Sequence, residues 1–157
     1  MEQFVIDPTI AYDVVELPSR GIHYPTQKKS LRVAYLTASD ENILSAQNLI
    51  QSNSVIDELL KRKVLDKDIN VDDLVDEDRQ AILIFLRNTA FGPEFNLNVT
   101  DPKTGEIFTS TVDISEVKFK ELKLTSNENG EFSYFMEKSK VEVTFKFLTK
   151  KQQKELD

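Results

Sequence analysis

The sequence predicts an α+β fold in which an antiparallel β-sheet, formed by N-terminal strands and a C-terminal meander, carries an inserted segment of about three helices. Three observations lead to it: apolar residues recur with period two over 12–37, with helical spacing over 40–91, and again with period two over 95–148. At 157 residues, 39% of them hydrophobic and 30% charged, the whole chain (1–157) is expected to form a single soluble domain around one core.

Two strands joined by a turn-rich loop are predicted near the N-terminus. The stretch from Tyr12 to Leu17 is extended in character, and Pro18 and Gly21 then interrupt the pattern. Apolar residues alternate again from Leu31 to Tyr35, which predicts the second strand.

Two helices are predicted next. Ser39 is a candidate N-cap for the first helix, whose apolar residues run from Ile43 to Ile50. Ser54, followed three residues later by Asp57, resembles a capping box for the second helix. The apolar stripe of the second helix consists of Val55, Ile56, Leu59, Leu60 and Val64.

The third helix is predicted from about Asp76 to Asn88. Acidic residues fill its first turn, where the helix dipole favours negative charge, and the Gly92-Pro93 pair ends it. Its uninterrupted apolar run from Ala81 to Leu86 predicts burial on nearly all sides.

Period-two patterns predict an antiparallel meander in the C-terminal third. Phe95 to Thr100 is expected to form a half-buried strand, the turn residues Asp101 to Gly105 follow, and Ile107 to Ile114 completes a hairpin. The polar tail, 149–157, is expected to form a short helix or to fray. Further strand-like alternation occurs at Val117 and Phe119, from Phe132 to Met136, and from Val141 to Phe147.

The composition excludes several function classes. The chain has no cysteine and one histidine, His23, so it has neither a disulfide scaffold nor a cysteine nucleophile nor Cys-ligated zinc. A net charge of −7 argues against nucleic acid as a partner, because binding to phosphates depends on basic residues. Met1–Pro8 lacks the features of a signal peptide, and the longest apolar run is too short to span a membrane. No cofactor is expected, since no glycine-rich phosphate-binding motif is present.

The acidic stretch from Asp66 to Glu77 raises the alternative of a calcium-binding helix-loop-helix module. A calcium loop requires glycine at its sixth position, for a sharp turn, and Val71 occupies that position here. A solvated loop whose acids cap the following helix is therefore favoured, and the calcium module is the weaker alternative. The residues at loop positions 1, 3, 5, 7 and 12 are Asp66, Asp68, Asn70, Asp72 and Glu77.

The pattern indicates protein contacts rather than catalysis. His23 has only Ser19 and Glu16 nearby in the sequence, whereas a nucleophile and an orienting acid have to converge on a catalytic histidine. The run from Phe132 to Met136 has apolar residues on both faces of a strand, so it needs cover from helices or from another chain. We therefore expect an interaction protein and not an enzyme.

Two short motifs resemble those of one known family. The first is Leu17-Pro18-Ser19-Arg20-Gly21, followed by Tyr24, and the second is Asp78, then Leu86-Arg87, then Phe91-Gly92. Their order, with a β-rich part after them, is similar to that of the baseplate hub and hub-assembly proteins of T-even-type contractile-tailed bacteriophages. The similarity extends over most of residues 12–148.

This resemblance implies a structural subunit or assembly factor of the phage tail baseplate hub, without enzymatic activity or cofactor. Such a protein is made in the host cytoplasm, joins the tail baseplate of the virion, and has other baseplate hub or tail proteins as partners in a hetero-oligomeric assembly. A transient tail-assembly chaperone that is not retained in the virion is the alternative. The loop expected to dock partners consists of Leu17, Pro18, Ser19, Arg20, Gly21 and Tyr24.

One hairpin departs from the pattern of that family. Some relatives carry a C-P-x-C-G knuckle after the Phe-Gly element, where this chain has Asp101-Pro102-Lys103-Thr104-Gly105. Asp101 and Thr104 stand at the two thiolate positions, so a zinc site of that kind lacks its soft ligands. No metal is expected.

Overall fold

Strands and helices follow one another in the predicted order, which confirms the α+β class. The computed structural model describes residues 9–44, 46–47, 54–120 and 123–156. Within those residues the strands pair two by two in three separate antiparallel sheets, and four α-helices are present. None of these helices is long and apolar enough to cross a membrane.

The first hairpin joins strands β1 (Tyr12–Glu16) and β2 (Ser30–Ala34). One face of this hairpin enters the core, because Val15 and its cross-strand partner Leu31 are both buried. The outer edge of β2 is covered by an isolated bridge between Val33 and Val64. In the described part of the chain, the outer edge of β1 has no such cover.

Helix α1 (Glu41–Leu44) follows a 3₁₀ turn, and the predicted N-cap is wrong by two residues. Thr37 occupies the cap. Its backbone N–H and its hydroxyl donate hydrogen bonds to the buried Asp40 carboxylate at 2.7 and 2.8 Å. Ser39 lies inside the turn instead. Ile50, the predicted end of this helix, lies outside the described residues.

Helices α2 (Val55–Lys63) and α3 (Asp76–Phe91) each contribute two residues to the core cluster. The predicted stripe of α2 is only partly correct, because Ile56 is exposed. Likewise, α3 is buried on one side and not on nearly all sides, since residues 83–85 are half-buried. The core cluster, shared with the first hairpin and the connecting segments, contains Val15, Leu17, Tyr24, Leu31, Val33, Leu59, Leu60, Val64, Ile69, Val71, Leu74, Ile82 and Leu86.

The C-terminal strands form two hairpins rather than a continuous meander. Strands β3 (Glu94–Thr100) and β4 (Ile107–Asp113) pair with each other, as do β5 (Phe132–Met136) and β6 (Val141–Phe145). Residues 117–120, predicted as a strand, lie between them without strand pairing. The half-buried strand predicted at Phe95 is exposed along its whole length, because β3 and β4 form a separate two-stranded sheet in the described structure.

The polar tail forms helix α4 (Lys150–Leu156), which packs on the segment between α2 and α3. Thr149 makes an isolated bridge with Val75. The amide of Gln153 donates to Asp76 at 2.9 Å, and the Lys154 ammonium lies 2.6 Å from the buried Asp57 carboxylate. The tail is therefore an ordered helix in the described structure, held by Asp57 of α2 and by Asp76.

Asp66 connects the start of the acidic stretch to the first hairpin. Its carboxylate, 4% exposed, accepts from the backbone N–H of Arg32 at 2.7 Å and lies 2.6 Å from the Arg32 guanidinium and 2.7 Å from the Lys28 ammonium. Burial by itself would raise the pKa of Asp66, but the hydrogen bonds from Arg32 and Lys28 outweigh it and lower that pKa to about 2. The ionised carboxylate is thus the form that the fold stabilises.

Asp66→Asn is expected to reduce the free energy of unfolding by about 2 kcal/mol at neutral pH. The folded-state pKa lies below the ordinary value of 3.8, so this contribution is fully present above about pH 4 and is lost as the pH falls toward 2. Urea unfolding of both proteins between pH 7 and pH 2.5 measures it. A difference between them that does not shrink over the acid range would contradict this assignment.

Candidate interaction site

The predicted docking loop is largely part of the core. Of its six residues, Leu17, Ser19, Gly21 and Tyr24 are buried. Pro18 is half-buried and the Arg20 side chain is exposed. The loop therefore has an inner side that belongs to the fold and a small outer side that is available to a partner.

The inner side binds Asp78, in the first turn of α3, whose exposed fraction is 0%. Ser19 donates to this carboxylate twice, from its backbone N–H at 2.9 Å and from its hydroxyl at 2.5 Å. The Tyr24 hydroxyl donates to Oδ2 of Asp78, the same oxygen that accepts from the Ser19 hydroxyl. The N-terminus of α3 adds favourable partial charge, so this buried acid is satisfied by neutral donors and the helix end.

Tyr24 extends the same network to the backbone before α3. Its hydroxyl oxygen accepts a hydrogen bond from the Val75 N–H at 3.1 Å while its proton goes to Asp78. Burial, and then the charge of the neighbouring Asp78, raise the pKa of Tyr24. The hydroxyl accordingly keeps its proton and remains a donor.

Gly21 allows the close approach of the two ends of the loop. Its φ is +74°, and a Cβ at this position would lie 2.2 Å from the carbonyl oxygen of Lys28. Only glycine fits both the conformation and the contact. A change at Gly21 is therefore expected to impair folding itself, and not only the binding of a partner.

The outer side of the loop borders a surface groove of about 600 Å³. This groove runs beside β1 and meets the segment 117–120, whose Phe119 is 40% exposed. Its rim combines apolar surface with cationic side chains, which suits an extended segment of another protein. The lining includes Val14, Glu16, Pro18, Arg20, Phe119 and Lys120.

An aromatic cluster behind the loop anchors the C-terminal hairpin. The ring of His23 lies edge-on to Phe132 at 6.1 Å and to Phe147 at 5.3 Å between centroids. Burial lowers the pKa of His23, although Asp78 and Glu77 oppose this effect. The neutral ring that results packs as one more aromatic residue. The sequence did not predict this contact.

The second motif joins α3 to the β3–β4 hairpin. The Arg87 guanidinium donates to the carbonyl of Gly92 at 2.6 Å and to that of Glu94 at 2.9 Å. It also lies over the rings of Phe91 and Phe95, at 5.3 and 5.6 Å from their centroids. The sequence singled out these residues, and the structure adds their role as a joint between helix and hairpin.

Side chains of the alternative calcium loop make ion pairs and hydrogen bonds within the chain. Asp66 and Asp68 both face Lys28, and Asp72 faces Lys61 and Lys154. The Asn70 side chain accepts from the Asp72 N–H at 3.0 Å. Within the described residues, no group of three or more His, Asp or Glu side chains is placed to hold a metal ion.

The chain matches the model of a known protein family. A family model described as T4 bacteriophage base plate protein matches residues 15–156. The match includes both motifs and the C-terminal helix. No curated protein and no solved structure matches the chain.

Gly21→Ala is expected to destabilise the fold by at least about 2 kcal/mol, because strain at positive φ adds to the backbone clash. Gly105→Ala is the matched control, since Gly105 has a φ of +75° but no atom within 4 Å of an added Cβ. The control is expected to cost about 1 kcal/mol. Thermal and urea unfolding compare the two, and equal losses would show that the close approach at Gly21 does not matter.

Proposed function

Because the chain belongs to the family of T4 bacteriophage base plate proteins, we propose that it is a structural subunit or assembly factor of the baseplate hub and acts by protein–protein recognition. The family itself places the chain in the tail of the virion, in association with other baseplate proteins. The assignment to the hub goes further than the family. The order of the Leu17–Gly21 and Leu86–Gly92 motifs, which resembles that of hub proteins, supports it.

The single observation that carries the proposal is the family match over nearly the whole described chain. The structure supports recognition rather than chemistry, because its buried polar residues are used to join segments of the fold. Asp78 binds the loop, Asp57 binds Arg79 and the tail helix, and Asp66 binds the first hairpin. A structural role without enzymatic activity agrees with this use.

We propose the outer side of the loop as one docking element. Pro18 and Arg20 reach the surface there, beside the uncovered edge of β1 and the exposed ring of Phe119. Because Asp78 fixes the backbone at Ser19, the backbone that carries these two side chains is held in place before a partner arrives. Such preorganisation lowers the entropy cost of binding.

Quantitative mass spectrometry of purified virions tests the proposal. A hub subunit, made in the host cytoplasm and retained in the tail, is expected at a fixed ratio to the other hub proteins. Absence from complete virions, combined with presence in assembly intermediates, would instead identify a transient tail-assembly chaperone. Absence from both would contradict a baseplate role.

A phage carrying Pro18→Ala extends the same measurement to the loop. Its virions are expected to contain at least about twofold less of the chain, since Pro18 lines the groove without contributing to the core. Glu41→Ala, an exposed change on α1, is the control and should leave the amount unchanged. Normal incorporation of a Pro18→Ala chain would remove the loop from the docking surface.

A further inference from the structure

The β3–β4 hairpin has an apolar face that nothing in the described chain covers. Its middle rows are the cross-strand pairs Phe95 with Val112, Leu97 with Ser110, and Val99 with Phe108. The apolar members are between 37% and 52% exposed. The opposite face is polar, with Thr109 and Thr111 donating to Asn98 and Asn96.

The two ends of this face carry opposite charge. The Arg87 guanidinium lies at the base, beside Phe95. At the tip the register continues to Asp101 and Glu106, which face each other across the strands with their backbones joined at 2.9 Å. Like charges directly opposite each other are unfavourable, and within the described residues neither acid makes a salt bridge. The face is therefore a strip that is positive at one end, apolar in the middle and negative at the other.

We propose that this face binds the same face of a second copy of the chain, related by a twofold axis that lies between the sheets and crosses the strands at the Leu97–Ser110 row. A twofold interface requires a self-complementary surface. This strip is self-complementary in charge, because its positive end can meet the negative end of the second copy. The base of one copy then meets the tip of the other. Arg87 of each copy faces Asp101 and Glu106 of the second, which relieves the repulsion between these acids.

The same axis also matches the side chains by size. It places Phe95 of one copy against Val99 of the other, and Phe108 against Val112, so that each large residue meets a smaller one. The distances of the charged groups from the proposed axis also agree. The tip acids lie four residues from Leu97, about 13 Å along a strand, and Arg87 lies beyond Phe95 on the other side of Leu97 by a similar length.

A twofold axis parallel to the strands would also place each large side chain against a smaller one. It would, however, bring the acidic tips of the two copies together, so the charges favour the axis that crosses the strands. The net charge of −7 does not prevent association at physiological salt, because repulsion is screened over about 8 Å. A strip of five apolar side chains is small beside the roughly 800 Å² that each partner buries in a standard interface. We therefore expect a dimer of moderate affinity, in the micromolar range.

Sedimentation equilibrium of the full chain, from 1 to 200 μM, tests the proposal. We expect a monomer–dimer equilibrium that Phe108→Asn weakens at least about tenfold. Ile107→Asn is the matched control, because Ile107 is the neighbouring residue on the opposite face and is 71% exposed. A second control is Tyr134→Asn on the β5–β6 hairpin, where Tyr134 is 62% exposed. Both controls should dimerise as the parent does.

Glu106→Lys tests the charge match separately, since it should weaken the dimer while the apolar face stays intact. Circular dichroism and urea unfolding of each variant confirm that it is folded. A chain that stays monomeric up to 200 μM would overturn the proposal, and so would a dimer that Tyr134→Asn weakens and Phe108→Asn does not. A dimer insensitive to Glu106→Lys would overturn the proposed axis. The baseplate role is tested by virion composition, so the two failures are distinguishable.

Discussion

The buried carboxylate of Asp78 joins the N-terminal loop to the third helix and so organises the centre of the molecule. A carboxyl group without exposure to water is costly unless it is hydrogen-bonded, and here the donors come from Ser19 and Tyr24, more than fifty residues earlier in the chain. Satisfying this one group therefore fixes the loop against the start of α3. The loop in turn places His23 against Phe132 and Phe147, which positions the last hairpin.

Helix α3 connects two kinds of structure. Its N-terminal turn holds the core body through Asp78, and its C-terminal turn carries the β3–β4 hairpin through Arg87. A two-stranded hairpin is marginal by itself, and one with an uncovered apolar face suits a component whose packing is completed by neighbours. This division, a satisfied core with exposed hairpins, is consistent with a protein of a baseplate family that is built into a larger assembly.

The sequence was informative wherever a structure depends on local pattern. Period and turn residues located β1, β2, α3, the β3–β4 hairpin and the strands β5 and β6, because these elements are determined by neighbouring residues. It misplaced the side chains of the loop: Ser19 and Tyr24 are buried because they donate to Asp78, and that pairing is not visible in either segment alone. The exposure of Phe95 was missed for a similar reason, since alternation predicts an apolar face but not what covers it.

The free energy of unfolding of Asp78→Ala, measured in urea beside that of Asp73→Ala, tests whether the Asp78 carboxylate holds the loop against α3. Asp73 is an exposed acid in the preceding turn and serves as the control. Removing the Asp78 carboxylate leaves the buried Ser19 and Tyr24 donors without their acceptor, so we expect a loss of at least about 3 kcal/mol. The control should change by less than about 0.5 kcal/mol. Equal, small losses in both variants would show that the loop and α3 are held together by other contacts.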